Sequence, residues 1–393
     1  MPPLGPLPRR PRLTARLRTV TAAGLCVAAL AVGAAANAAP GDRPAADAAP
    51  GAHAAAAPAD DNPLAGRRLG VYKGLADQAW APYLNAKGQE KALLGRIALT
   101  PKSKWFGAWV PDDQIGKKVR DYVSNSQAGD PETLVQMTFF RMVPWEAAVK
   151  KRDATEAEAA SYRTWIDNAA KAIGSAHVAL TLQPDGPLAL YQNPATSRAT
   201  AMINYSARVL SALPNTSVYI EIGASDWPYG RAGVDQVMKF LVPSGVQYAR
   251  GIALNGTHFT ATPLDIQRSA DVIEALNQRG ITGKKAIINT ANSGHPWEFG
   301  DYKGPNIADD APACKKATAP ARRTCVMLGI PPTTDVADPR WGLSATSARL
   351  AEKYVDGYIW FGRPWLNYQA DPFDKTQALT LARTWQFAGA AGF

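Results

Sequence analysis

The sequence contains few of the residues and motifs that mark several common classes of protein. Its 393 residues include only three cysteines and four histidines. No glycine-rich phosphate loop follows the first predicted strand, no Gly-x-Ser-x-Gly elbow is present, and no run of lysine and arginine is interleaved with aromatic residues. The histidines beyond residue 61 are not spaced as metal ligands or as a catalytic triad: His177, His258 and His295. These absences argue against a nucleotide-binding enzyme, a serine esterase and a protein with a nucleic-acid partner.

The N-terminal region has the features of a secretory signal peptide followed by a linker. Residues 19–36 are uncharged and mostly apolar, they follow a cluster of arginines, and residues 36–38 provide a cleavage pattern of small residues. Residues 39–61 are mostly Ala, Pro, Gly and Asp and cannot bury a core. We therefore predict a signal peptide over residues 1–38, then a disordered linker, and one folded domain over residues 62–393. A membrane anchor is the alternative, although the apolar segment is short and rich in alanine and glycine.

Two cysteines remain in the predicted folded domain, Cys314 and Cys325. In an exported protein, two cysteines this close in sequence predict one disulfide that closes a short loop. Two free buried thiols are the alternative. No histidine lies at metal-ligand spacing from either cysteine, so we do not predict a metal site.

Strand and helix patterns alternate along the folded domain, which predicts an α/β fold with a mainly parallel sheet. Seven apolar segments are candidate strands: residues 69–72, 134–143, 177–183, 217–222, 251–255, 285–290 and 357–361. Amphipathic segments between them are candidate helices: residues 112–124, 155–173, 197–213, 233–241, 262–278, 344–353 and 377–387. The strand count favours a single-domain, TIM-like barrel of seven parallel strands. The connection over residues 291–340 lacks periodicity, and long irregular connections in compact domains are usually functional.

Carboxylates lie at or just after the ends of three candidate strands and are the leading candidates for catalysis: Asp185, Glu146 and Glu221. Because the C-terminal ends of parallel strands meet at one rim of a barrel, we expect these carboxylates to converge there. Converging carboxylates beside exposed aromatic rings suit glycoside hydrolysis. The structural alternatives are a turn cap at Asp185 and a helix start at Glu146. For Glu221 the alternative is an ion pair with Arg250.

The chain has eleven tryptophans, and many of them follow strands or lie in predicted loops. The flat, rigid indole ring stacks well on the C–H face of a sugar. The tryptophans at strand ends or in loops are Trp105, Trp109, Trp145, Trp227, Trp297, Trp341, Trp360 and Trp365. Core packing is the alternative for any single one, so the pattern as a whole indicates carbohydrate binding.

The segments that carry these residues resemble glycoside hydrolase family 6, the inverting β-1,4-glucanases and cellobiohydrolases. Residues 183–185 are similar to the family's E-P-D segment, residues 140–147 to its Y-D-L-P-x-R-D-C segment, and residues 219–227 to its Y-L-D-A-G-H-x-x-W segment. The resemblance implies that Asp185 is the catalytic acid and that Glu146 supports it. It also implies a distorted seven-stranded barrel, with Glu221 and Trp227 in substrate binding and Asn255 at a strand end that resembles the family's A-x-N.

The chain departs from the family most clearly in the last strand. In place of the family's W-V-K-P-x-G-E-x-D-G, residues 360–371 read W-F-G-R-P-W-L-N-Y-Q-A-D. Arg363 then stands for the family's lysine charge and Asp371 for its base, at a different spacing. Ala224 also replaces a histidine, Phe140 replaces a tyrosine, and Glu replaces Asp at positions 146 and 221.

These patterns together predict a secreted, monomeric glycoside hydrolase that cleaves β-1,4-glucan polysaccharide or oligosaccharide with inversion, without a metal or organic cofactor. Asp185 is the predicted acid, Asp371 is the base directly or through a chain of waters, and Glu146 supports the acid. The predicted substrate-binding residues are Glu221, Trp227, Asn255, Trp105, Trp360 and Arg363. We expect no nucleic-acid partner and no stable membrane association. The alternatives are a secreted, non-catalytic carbohydrate-binding barrel, because the base region is altered, and a hydrolase of a different glycan.

Overall fold

Seven parallel strands form one sheet whose order follows the chain. The computed structural model describes residues 62–141, 152–191, 198–227 and 230–393. Its strands are β1 (Lys104–Gly107), β2 (Val135–Phe140), β3 (Val178–Leu182), β4 (Thr216–Glu221), β5 (Gly251–Leu254), β6 (Lys285–Asn289) and β7 (Val355–Ile359). Each strand pairs in parallel with the next one along the chain. The C-terminal ends of all seven strands therefore lie at one rim.

Helices in the described residues connect and cover these strands. They are α1 (Trp80–Asn85), α2 (Gly88–Ala98), α3 (Ile115–Gln127), α4 (Glu156–Ile173), α5 (Arg198–Ser211), α6 (Gly230–Leu241), α7 (Thr262–Asn277), α8 (Ala345–Tyr354) and α9 (Lys375–Thr384). A capping box begins α4, where Glu158 N donates to Thr155 Oγ1 and Thr155 N donates to Glu158 Oε2. The sequence did not predict α1 and α2, and neither has a side-chain hydrogen bond at its N-cap that would mark its start.

The sheet curls until its two edge strands approach each other, which gives a half-closed barrel. Ser103 N, just before β1, donates to Trp360 O, just after β7, at 2.7 Å. The indole Nε1 of Trp105 donates to Phe361 O at 2.6 Å, across the same seam. The predicted seven-stranded parallel α/β barrel is confirmed, apart from the identity of its first strand.

The first strand is β1 and not the predicted segment 69–72. That segment forms one isolated bridge, between Leu69 and Leu134. The sequence of β1 is Lys-Trp-Phe-Gly, which begins with a charge and ends with a glycine. Such a short segment lacks the apolar run that marks a strand in a sequence.

Both faces of the sheet are buried, as expected for parallel strands that read as nearly continuous apolar runs. One apolar cluster lines the inside of the barrel: Leu64, Leu134, Ala179, Tyr219, Ala253, Ile287, Ile359 and Phe361. On the outer face, Phe139 of β2 packs edge to face on Trp165 of α4, with ring centroids 5.0 Å apart. The barrel is therefore a packed frame that supports the loops at its rim.

The predicted disulfide between Cys314 and Cys325 is present, with Cα atoms 5.0 Å apart. It lies within the connection over residues 291–340, and it stabilises the fold by roughly 2–3 kcal/mol in the chain-entropy model for a loop of this length. His295 lies beside the two sulfurs, which its spacing in the sequence did not indicate. Both sulfurs are used by the bridge, and His295 Nε2 contacts Arg323 O at 2.9 Å.

The predicted signal peptide and linker, residues 1–61, lie outside the described residues. Residues 62–393 fall within one compact unit of the chain. Among the helices of the described part, none is long and apolar enough to cross a bilayer. The export of this chain and its domain boundaries therefore stay predictions.

Candidate active site

Asp185 lies just after β3, on a backbone that residues other than glycine rarely adopt. Gln183 and Asp185 have φ values of 54° and 58°, on either side of Pro184. Positive φ costs free energy in such residues, and this strain concentrates at functional sites. Gly186 follows because a β-carbon there would lie 2.8 Å from the carbonyl oxygen of Glu221. The segment thus holds the Asp185 carboxyl at the rim, against the end of β4.

Glu221, the last residue of β4, accepts hydrogen bonds from three backbone N–H groups. Its Oε2 accepts from Asp185 N at 2.8 Å and from Gly223 N at 3.0 Å, and its Oε1 accepts from Gly256 N at 3.4 Å. The residue is 1% exposed. One carboxylate therefore joins the loops that follow β3, β4 and β5.

The alternative interpretation of Glu221, an ion pair with Arg250, is wrong. Arg250 instead forms two hydrogen bonds with Asp356, Nε to Oδ2 at 2.8 Å and Nη2 to Oδ1 at 3.0 Å. Tyr219 also donates to Asp356 Oδ2 at 2.7 Å. Arg250 precedes β5 and Asp356 lies near the start of β7, so this pair belongs to the opposite end of the barrel from Glu221.

Burial sets the protonation of Asp185 and Glu221. Burial raises the pKa of Asp185, opposed by the charge of His258 and the hydrogen bond from Thr257. Burial, followed by the charge of Asp185, raises the pKa of Glu221, opposed by its three backbone donors. Two adjacent buried carboxyl groups keep one proton between them near neutral pH. Three N–H donors favour the charged form of Glu221, and the charge of His258 favours the charged form of Asp185, so this proton is shared by the pair.

A histidine and an aspartate extend this cluster. His258 Nδ1 lies 2.7 Å from Asp226 Oδ1, and Asp226 Oδ2 accepts from Phe299 N at 2.8 Å. Burial lowers the pKa of His258, but the hydrogen bond and charge of Asp226, with the charge of Asp185, raise it overall. Trp227 stacks on the same imidazole, with ring centroids 6.1 Å apart. The overall shift therefore favours the cationic form of the imidazole beside Asp185.

A further carboxylate, Asp309, belongs to the same cluster. It lies on a single 3-10 turn, Ala308–Asp310, in the long connection after β6. Gln369 Nε2 donates to Thr257 O at 2.8 Å and to Asp309 Oδ1 at 3.4 Å. Thr257 Oγ1 donates in turn to Asp185 Oδ1 at 2.9 Å. Burial and the charge of Asp185 raise the pKa of Asp309 to about 6, opposed by smaller contributions.

His258, Asp226 and Asp309 were not among the predicted site residues. Asp226 and His258 follow β4 and β5 within a few residues, as Asp185 follows β3. A search of every loop after a strand for titratable side chains would have found both. Asp309 lies in the connection over residues 291–340, which was expected to be functional, but no local pattern distinguishes it from its neighbour Asp310.

A cavity of about 400 Å³ lies against β1 and the segment after β7. Its lining combines aromatic rings with charged groups, including Trp105, Trp109, Phe140, Arg363, Trp365 and Asp371. Trp109 is 54% exposed and offers a free ring, whereas Trp105 is 5% exposed and packs edge to face on Phe140. Aromatic walls with a few polar groups are typical of sites that bind sugar rings.

Arg363 is the charged residue that contacts the aromatic wall of this cavity. Its guanidinium carbon lies 3.9 Å from the centroid of the Trp105 ring, a cation–π contact. Burial lowers the pKa of Arg363 to about 9, opposed by the charge of Asp371. The Arg363 Nε is buried, without a hydrogen-bond partner among the described residues. Arg363 therefore contributes a cation to the cavity wall.

Two predicted substrate-binding residues are fully buried instead of facing a cleft. Trp360 is 0% exposed within the core, which leaves its ring no face for a sugar. Asn255 is also 0% exposed, and its side chain donates to Asn289 O at 3.3 Å, so it holds the rim loops in position. Trp227 is half-buried, with its ring against His258. Glu146 lies outside the described residues.

Comparison with known sequences identifies the family. Residues 70–292 match the model of the glycosyl hydrolases family 6. Endoglucanase A of Cellulomonas fimi is 27% identical over 226 residues, which cover 58% of this chain and 47% of that protein. Endoglucanase 1 of Streptomyces halstedii is 25% identical over 220 residues, which cover 55% of this chain and 66% of that protein. The matched region thus spans about half to two thirds of these relatives.

Solved structures of the same family share this fold. The endoglucanase Cel6 of Mycobacterium tuberculosis, in complex with methyl-cellobiosyl-4-deoxy-4-thio-β-D-cellobioside, superposes with a TM-score of 0.62 and 25% identity, covering 82% of this chain and 99% of that one. The GH6 enzyme of Orpinomyces sp. Y102 has the same fold, with a TM-score of 0.61 at 15% identity, covering 83% and 99%. Since the family model matches more than half of the sequence, the chain belongs to the glycosyl hydrolases family 6.

Proposed function

We propose that the protein is a secreted glycoside hydrolase that cleaves β-1,4-glucan with inversion of the anomeric carbon. The observation that carries this proposal is the Asp185 carboxyl, held on a strained backbone at the barrel rim beside the carboxyl group of Glu221. A carboxyl group that keeps its proton near neutral pH is the general acid that glycoside hydrolysis requires. Secretion is proposed from the N-terminal sequence pattern alone.

The relatives support the substrate class. The curated relatives named above are endoglucanases, and the neighbour from Mycobacterium tuberculosis was solved with a thio-linked cello-oligosaccharide. The aromatic cavity beside β1, with the open ring of Trp109 and the cation of Arg363, fits an extended chain of glucose units. We expect no metal or organic cofactor, because two carboxyl groups suffice for this reaction.

In the proposed reaction, Asp185 gives its proton to the glycosidic oxygen as the bond between that oxygen and the anomeric carbon breaks. Water attacks the opposite face of the anomeric carbon, and a carboxylate takes the water's proton. The sequence nominates Asp371 for this last role, either directly or at the end of a chain of waters. Glu221 acts as a positioning residue, since it holds the backbone of Asp185.

The test of the proposal is hydrolysis of carboxymethyl cellulose and of mixed-linkage β-glucan. We expect release of reducing sugar from both polymers, and proton NMR of the fresh product should show the α-anomer. Retention of the β-anomer would contradict the inverting mechanism. Binding without hydrolysis would favour the non-catalytic barrel, and turnover of another polysaccharide in a glycan panel would favour a different substrate.

Asp371 and Asp374 form a matched pair for testing the cavity wall. Asp371 faces Arg363 there, whereas Asp374 caps α9 by accepting from Gln377 N at 2.8 Å. We expect Asp371→Ala to lower kcat/KM on soluble β-glucan by about tenfold, which is roughly 1.4 kcal/mol of transition-state stabilisation. Asp374→Ala should instead lower the melting temperature, because a lost N-cap costs about 1 kcal/mol. Equal turnover in the two variants would remove Asp371 from the reaction.

A further inference from the structure

The connection after β6 places a carboxylate, Asp309, in the hydrogen-bond network of Asp185. Asp309 is not at the end of any predicted strand. We propose that Asp309 is the base that receives the proton of the attacking water, an inference that rests on the proposed function. Asp371 then belongs to the wall of the aromatic cavity. The inference concerns a residue that neither the family's sequence segments nor the strand-end pattern indicated.

Hydrogen bonds fix where Asp309 stands relative to the acid. Both N–H groups of the Gln369 amide are used, one on Thr257 O and one on Asp309 Oδ1. The Gln369 Oε1 accepts from Asn292 Nδ2 at 2.7 Å, and the residue is 5% exposed, so the amide cannot turn freely. Thr257 carries the other end of this network, because its hydroxyl donates to Asp185 Oδ1. Acid and proposed base are thus linked by a chain of hydrogen bonds through Thr257 and Gln369.

Gln369 contacts Oδ1 of Asp309, so Oδ2 is the atom that would take a proton. A base needs one lone pair aimed at water and a fixed orientation, which the amide of Gln369 supplies. The neighbouring Asp310 is oriented differently, since its Oδ2 accepts from Asn306 Nδ2 at 2.6 Å. Two adjacent carboxylates on one turn therefore have different surroundings, and only Asp309 is connected to the acid.

The charges around Asp309 suit a base that works near neutral pH. The titratable groups that face it are Asp185 and His258, from the loops after β3 and β5. Burial and the charge of Asp185 raise its pKa to about 6, while His258 and the hydrogen bond from Gln369 oppose this. Asp309 is therefore ionised above about pH 6 and able to accept a proton, while the more strongly buried Asp185 keeps its own.

Asp371 has different surroundings. It is exposed, and the charged groups that it influences are Arg363 and Lys104. Its carboxylate therefore balances cations at the wall of the aromatic cavity. This position suits contact with a bound sugar chain, whereas Asp309 is linked to Asp185 through Gln369 and Thr257.

Hydrolysis of the glycosidic bond balances in atoms and charge with Asp185 as the acid and Asp309 as the base. The water oxygen forms a bond to the anomeric carbon, and the electron pair of the broken glycosidic bond moves to the leaving oxygen. Asp185 transfers its proton to that oxygen, while the proton lost by the water moves to Asp309. Exchange of one proton with solvent restores both groups, and the products are a chain with a new α-hemiacetal and a chain with a new hydroxyl.

The test compares Asp309→Asn with the matched control Asp310→Asn in the full-length protein. Because every substrate requires an activated water, Asp309→Asn should lower turnover by about 10²–10⁴-fold on polymer and on aryl β-cello-oligosaccharides with good leaving groups. Asp310→Asn should keep turnover on the aryl substrates close to the wild-type value, whereas Asp371→Asn, in the wall of the binding cavity, should lose about tenfold and no more. Melting temperature and cello-oligosaccharide affinity are measured for all three, and we expect both to be unchanged in Asp309→Asn.

Rescue by azide distinguishes a catalytic base from a residue that only alters the pKa of Asp185. Sodium azide needs no deprotonation, so it should restore turnover of the aryl substrate by Asp309→Asn and form an α-glycosyl azide. The wild-type rate should also fall as the pH drops through about 6, as Asp309 becomes protonated. Full activity in Asp309→Asn, or rescue by azide in Asp371→Asn alone, would overturn the assignment. If the wild type hydrolysed no glucan, the proposed function would be contradicted as well. Failure of the base assignment and failure of the proposed function can therefore be distinguished.

Discussion

Asp185→Asn is expected to lower turnover of unactivated β-glucan by about 10²–10⁴-fold, the usual contribution of general acid catalysis. The asparagine has nearly the same shape, and its backbone N–H can still donate to Glu221 Oε2. It can also accept from Thr257 Oγ1, but it has no proton to give to the glycosidic oxygen. Initial rates of reducing-sugar release from mixed-linkage β-glucan give the measurement.

Leaving-group dependence makes this test specific. Aryl β-cello-oligosaccharides with acidic leaving groups need little protonation, so the Asp185→Asn variant should retain much more of its activity on them. Cello-oligosaccharide affinity and melting temperature should stay close to the wild-type values. Turnover of polymer at the wild-type rate would remove Asp185 from the mechanism, and an equal loss on all substrates would point to misfolding or to another role.

Glu221→Ala is expected to lower the free energy of unfolding by about 3–5 kcal/mol, because it leaves three interior N–H groups without acceptors. Those groups are the backbone amides of Asp185, Gly223 and Gly256. The alanine variant no longer has to bury a carboxylate, which offsets part of the destabilisation. The decrease in the free energy of unfolding should therefore be smaller than the sum expected for three unsatisfied N–H donors. Urea denaturation followed by tryptophan fluorescence provides the measurement.

Glu221→Gln and Glu352→Ala are the controls for that change. The glutamine keeps one carbonyl oxygen for the amides on the Oε2 side and should lose less stability than the alanine. Glu352 is exposed on α8, and its replacement should change stability by less than about 0.5 kcal/mol. A Glu221→Ala variant as stable as the wild type would show that the three loops do not depend on this carboxylate.

The strand ends were the part of the site that the sequence could predict. A buried parallel strand is nearly continuous in apolar residues, so the polar residue that ends it is visible, as with Asp185 after β3 and Glu221 at the end of β4. Six of the seven strands and the main helices follow from the same alternation. The family resemblance added the prediction that Asp185 is the catalytic acid.

Long-range geometry explains what the sequence did not predict. Asp309 is linked to Asp185 only because an irregular connection folds back over the rim, and no periodic pattern in the sequence predicts that path. Trp360 was expected to bind sugar because it follows a strand, yet the chain there turns inward and buries the ring. Strand β1 is too short to show a pattern, and its place in the sheet depends on pairing with β2.

The three hydrogen bonds at Glu221 have a consequence for redesign of the enzyme. Loops on a rigid scaffold tolerate sequence change and carry binding residues, which makes them natural targets for exchange. Here the loops after β3, β4 and β5 share one buried acceptor, so a graft of any one of them must reproduce an amide at the matching place. The three loops should therefore be transplanted as one module, together with the glutamate beneath them.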